Sequence, residues 1–66
     1  MSKAFATPWH VTVYFSSFCV KDAHGNPVAY VYFEDDEGKR AALTYRPLYR
    51  WEAQRLAEAI ANLPKR

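Results

Sequence analysis

The hexapeptide Asp22-Ala23-His24-Gly25-Asn26-Pro27 constrains this chain more than any other stretch, because it concentrates turn-forming residues between two β-patterned runs. Gly25 and Asn26 tolerate positive φ and Pro27 cannot donate to a ladder, so the chain is expected to reverse here. Before the turn, Trp9, Val11, Val13 and Phe15 alternate with His10, Thr12 and Tyr14, while Phe18 and Val20 alternate with Cys19 and Lys21. Ser16-Ser17 between these runs marks either a tight connection or a bulge within one long strand. After the turn, Val28 to Phe33 is rich in β-branched and aromatic residues and reads as the central strand.

The remainder changes period. Asp35-Asp36-Glu37-Gly38 reads as a second turn, and Arg40 to Tyr45 as a fourth, weaker strand or as irregular structure. Pro47 fits the first turn of a helix, where its missing N–H is harmless, and helix formers continue to Leu63 before Pro64 stops them. A helical projection gathers Leu48, Tyr49, Ala53, Leu56, Ala59, Ile60 and Leu63 into one apolar stripe. Glu52 falls inside that stripe, and near the helix start it is placed to accept from a free backbone N–H. The expected fold is α+β: an antiparallel meander of three or four strands with one C-terminal helix packed on one face. The expected core is Val11, Val13, Val20, Val31, Phe33, Leu56 and Ile60.

Sixty-six residues admit one small domain, here residues 1–66 with a frayed start over about residues 1–7. With 50% hydrophobic residues, including 2 Trp, 5 Tyr and 4 Phe, the chain is set apart from disordered sequences. Cys19 is the one cysteine, so no intramolecular disulfide forms, and no Cys and His cluster has the spacing of a zinc site. No cofactor or metal is expected. Without a signal-type or membrane-spanning apolar run, a soluble protein of a reducing cytoplasm is the expectation, with no membrane partner. The net charge of +2 is too small by itself to attract a polyanion strongly. Its distribution is uneven, with Glu34-Asp35-Asp36-Glu37 acidic and Arg46, Arg50, Arg55, Lys65 and Arg66 making the last third basic.

One resemblance is carried by Cys19-Val20-Lys21-Asp22, Gly25, Ala29-Tyr30-Val31-Tyr32-Phe33-Glu34, Gly38-Lys39-Arg40, Glu52-Ala53-Gln54-Arg55-Leu56-Ala57 and Ile60-Ala61-Asn62-Leu63-Pro64. Together they resemble a family of very short, uncharacterised bacterial proteins. The family pattern runs D-x-x-G, A-Y-V-Y-F-E, G-R-R, then T-x-x-E-A-x-R-x-A-x-x-I-A-x-L-P, and the likeness covers Cys19 to Pro64. It implies a stand-alone bacterial protein and carries no assigned activity. Where the family has T-x-x-E, this chain has Tyr49 and Glu52, and Tyr does not cap as Thr does. The link from Gly38 to the helix is also longer here and contains Tyr45-Arg46-Pro47.

Catalysis requires two or three convergent polar groups in a pocket, and the sequence offers few. His10 and His24 belong to different elements, and Cys19 stands two places from Lys21. The acidic run lacks the alternating ligands and central glycine of a calcium loop, so it reads as a solvated hairpin turn. If the helix covers Val11, Val13, Phe18, Val20, Ala29, Val31 and Phe33, the other sheet face carries His10, Thr12, Tyr14, Cys19, Lys21, Tyr30 and Tyr32. On the helix, Trp51 projects to the polar side, placed either to stack on the Arg55 guanidinium one turn on or to fold back over a sheet edge. The favoured reading is a non-catalytic interaction module, contacting protein or forming a homodimer through Tyr14, Lys21, Tyr30 and Tyr32 or through Trp51 and Arg55. The alternative is a single-stranded nucleic-acid binder that stacks bases on the same tyrosines. A small redox or hydrolytic enzyme comes third.

Overall fold

The computed structural model describes residues 5–65. Strands β1 (His10–Val13), β2 (Ser17–Lys21) and β3 (Pro27–Tyr32) form an antiparallel sheet in the order β1-β2-β3. The central strand is therefore β2 rather than the Val28–Phe33 run, which lies at one edge. The chain belongs to the α+β class, with helices α1 (Glu37–Ala42) and α2 (Arg50–Ala61) and a closing 3-10 turn, Leu63–Lys65. Tyr14 N–H donates to Ser17 C=O at 2.8 Å, closing a two-residue connection at Phe15-Ser16. Of the two readings of Ser16-Ser17 the tight connection is the one that forms, with Ser17 opening β2, and the one irregularity of the ladders lies between Val20 and Lys21 on the β3 side.

At the Asp22 turn, Gly25 takes a φ of 85°, which a residue with a Cβ adopts only under strain. Asp22 itself is almost completely buried and accepts from the N–H groups of Asn26 (2.8 Å), His24 (2.9 Å) and Ala6 (3.3 Å), and from Asn26 Nδ2 (3.4 Å). Burial pushes this carboxyl up, but the hydrogen bonds together outweigh it and hold its pKa below the ordinary aspartate value. Ala6 C=O also accepts from Ala23 N–H at 2.9 Å. Residues 5–7 of the expected frayed start are therefore tied at Ala6, while residues 1–4 lie outside the described residues.

No fourth strand follows β3 among the described residues. The acidic run instead organises helix ends. Asp36 caps α1 by accepting from Lys39 N–H at 2.9 Å, and Asp35 accepts from Arg50 N–H at 2.8 Å at the start of α2. Glu34 accepts from Asp36 N–H at 3.0 Å, and Glu37 from the Tyr49 hydroxyl at 3.1 Å. Pro47 does not open a helix. Leu48 makes a parallel bridge with Phe33, and Glu34 N–H donates to Leu48 C=O at 2.9 Å, so Pro47-Leu48 extends the sheet locally before Tyr49 begins the helix. Glu52 takes the expected capping role, accepting from Tyr49 N–H at 2.9 Å while bridging Arg46 at 2.8 Å. The Arg46 guanidinium, and then the Tyr49 N–H, hold its carboxyl below the usual glutamate range.

The core is Phe18, Val20 and Val31 of the sheet against Ala53, Ala57 and Ala61 of α2, with Trp9, Val11, Val28, Phe33, Leu48 and Ile60 at its margin. Two members of the expected core fall outside it, since Val13 is 50% and Leu56 47% exposed. The reason is helix rotation: the face turned to the sheet is the alanine row at i, i+4 and i+8, whose small side chains let the helix axis approach β2. Leu56 sits on the flank of that row, and Val13 ends an edge strand that the helix only partly covers.

Candidate contact surface

The face of the sheet turned away from α2 is built from cross-strand rows set by the register. Thr12 lies opposite Cys19, which lies opposite Tyr30, and Ser17 lies opposite Tyr32. Because β2 has a neighbour on either side, Cys19 is shielded along both flanks, and it is 0% exposed although it lies on the face turned away from α2. Lys21, two residues along the same face, reaches back over Cys19 to place its ammonium 5.3 Å from the Tyr14 ring centre. Beside the Tyr14 phenol, the Lys21 pKa rises above its ordinary value. On the other flank Tyr30 and Tyr32 stack with centroids 6.2 Å apart and planes 22° apart. The Cys19 thiol beside it, then burial, raises the Tyr30 pKa. Cys19 is thus a buried spacer beneath a tyrosine cover.

The structure brings Tyr14, Lys21, Tyr30 and Tyr32 together on one surface, with Tyr32 65% exposed. Trp51 and Arg55 are not part of it. They lie on the outer side of α2, where Trp51 is 61% exposed, and the expected Trp51–Arg55 stack does not form among the described residues. The closest guanidinium–ring contact is instead Arg40 over Tyr49, at 3.6 Å. Arg40 also donates to Glu34 C=O at 2.7 Å, fastening α1 to the end of β3.

Sequence reasoning missed a cleft of about 370 Å³ at the end of β3, walled by Tyr32, Phe33, Leu43, Tyr45 and Leu48 and opening beside the tyrosine face. Tyr32 and Phe33 belong to the end of β3, while Leu43, Tyr45 and Leu48 come from the segment after α1, which the sequence left as a weak strand or irregular structure; the aromatic Tyr45 beside Pro47 was its one visible signal. Among the described residues no three His, Cys, Asp or Glu side chains converge as metal ligands, and no helix is long and apolar enough to cross a membrane.

No family model matches the chain, and neither the curated proteins nor the solved structures contain a significant match to it.

Proposed function

We propose that this chain is a non-catalytic interaction module of the cytoplasm, of the short bacterial type its sequence resembles, which receives a protein partner on the Tyr14, Lys21, Tyr30 and Tyr32 face. The observation that supports this most is the contrast within that face: Cys19 is sealed beneath rings that are themselves half open to solvent. Tyrosines offer large contact area at low entropic cost and keep a hydroxyl for orientation, which suits protein recognition. The neighbouring cleft lined by Tyr32 and Tyr45 extends the same surface. Trp51 and Arg55 form a second, separate contact candidate on α2.

Single-stranded nucleic acid is the alternative occupant. It would need several cations to neutralise phosphates, and Lys21 is the residue of that kind within the tyrosine group. The two readings part under test. A photo-cross-linking side chain placed at Tyr32, with His24 as the control position, should yield protein adducts in cells at position 32 only. Tyr30→Ala should weaken that capture by about 1–3 kcal/mol with the fold retained. Adducts to nucleic acid, together with oligonucleotide affinity that collapses with salt, would replace the protein reading.

A further inference from the structure

The two outer edges of the sheet differ. Because Tyr14 N–H bonds Ser17 and Phe33 N–H bonds Ser16, the antiparallel alternation is fixed on both ladders. It turns the backbone groups of Thr12 toward β2 and those of Val11 and Val13 outward. On β3 it turns those of Tyr30 and Tyr32 outward, but there Leu48 bridges Phe33 and blocks the end of the edge. Edge strands are usually protected by a charged side chain, a proline or a bulge. The β1 sequence His-Val-Thr-Val contains none of these, and no strand pairs with its outer side among the described residues. Phe15, at the hairpin tip that continues β1, is 98% exposed.

We propose that β1 pairs antiparallel with β1 of a second copy about a twofold axis between the two Thr12 residues, joining two three-stranded sheets into one. In this register Val11 faces the second copy's Val13, so both outward-facing residues of each strand exchange both backbone hydrogen bonds. The same register carries Phe15 against the second copy's Trp9. Charge agrees with this arrangement. A groove bounded by Val11, Val13, Phe18, Arg50, Gln54 and Glu58 runs between β1 and α2. Arg50 lies at its Phe18 end, 5.6 Å from that ring, and Glu58 lies two helical turns further, about 12 Å along. A twofold axis normal to the sheet brings each Arg50 end toward the other copy's Glu58 end, pairing opposite charges above the new strand pair. The two tyrosine faces then lie on one side as a doubled surface. The inference is independent of what that surface binds, because β1 pairing uses none of its rings.

The test is disulfide trapping. In such a pair the two Thr12 residues form a non-hydrogen-bonded couple with closely spaced Cβ atoms, so Thr12→Cys should cross-link two copies. Cys19→Ala accompanies it, since Cys19 lies directly opposite Thr12 within one copy. The double variant should form a covalent dimer under mild oxidation, whereas His10→Cys in the same background should not, its two copies standing roughly 14 Å apart along the strands. In sedimentation, wild-type chain should dimerise with rising concentration. Val13→Lys, at an already exposed position, should weaken dimerisation by tenfold or more, and Tyr30→Ala should leave it unchanged. A chain that stays monomeric at every concentration overturns the proposal. So does a dimer that survives Val13→Lys or cross-links equally through His10→Cys, and loss of the dimer with Tyr30→Ala would place association on the tyrosine face instead.

Discussion

Phe18 and Cys19 are consecutive residues of β2, and both are withdrawn from solvent, at 4% and 0% exposure, yet different things cover them. Phe18 points at α2 and is covered by a separate layer, together with the Phe33 ring 5.3 Å away. Cys19 points the other way, and among the described residues its cover comes from side chains beside it on the sheet: Tyr30 directly opposite, and Lys21 reaching back to Tyr14. A layer contributes apolar burial on both of its surfaces, so it stabilises the fold. A cover of tyrosines shields what lies beneath while its outer side stays wet, so it stabilises less and remains open to a partner. Burial under a second layer and burial beneath a solvent-facing cover are in this way divided between the two faces of one strand.

The sharpest way to break this division is to hollow the layered side. Phe18→Ala should cost about 3–5 kcal/mol, as for other buried aromatic truncations. Chemical denaturation followed by Trp fluorescence measures it. A loss no larger than that from truncating a ring of the tyrosine face would mean that the two faces contribute alike.

The division into faces was legible in the sequence because side-chain alternation in a strand is rigid. Once the Asp22–Pro27 turn set the hairpin, the residues of the open face followed from parity, and Tyr14, Lys21, Tyr30 and Tyr32 do share it. The layer itself was harder to read. The expected stripe of Leu48, Tyr49, Ala53, Leu56, Ala59, Ile60 and Leu63 included Ala53 but left out Ala57 and Ala61, since alanine carries little hydrophobic signal although it permits the closest helix–sheet approach. Helix α1 was invisible for a related reason: it has six residues and buries none, so no periodicity marks it, and its capping by Asp36 resembles a turn signal. The start of α2 depended on tertiary structure, because Pro47-Leu48 is drawn out of the helix by the edge of β3. The cleft beside Tyr32 was hidden for both reasons, because one of its walls is the segment between the two helices.

A smaller effect probes how tightly the layer sits. Ala57 is fully buried over β2, and Ala57→Leu adds volume where the axis approach leaves no room. Overpacking of this kind should cost about 1–3 kcal/mol despite the higher hydrophobicity of leucine. The same denaturation experiment reads it, and an unchanged or raised midpoint would show that the alanine row does not set the helix–sheet distance.

The smallest effect is expected one residue away, at Leu56, and it separates two placements of the same helix. With the stripe centred on the large residues, Leu56 lies in the core and Leu56→Ala costs about 2–5 kcal/mol through lost transfer energy and a cavity. With the alanine row facing the sheet, Leu56 is 47% exposed, truncation opens no closed cavity, and part of its surface is wet in the folded state already. Alanine also has the higher helix propensity, which offsets some of the lost contact. Leu56→Ala should therefore cost less than about 1 kcal/mol, in the range of ordinary surface changes. Because Leu56 and Ala57 differ by about 100° around the helix, the pair of variants reports its rotation directly. A large loss at Leu56 with tolerance at Ala57 would mean that the helix presents the leucine stripe to the sheet, and a small loss at Leu56 with damage at Ala57 fixes the alanine row as the surface on which the layered face is built.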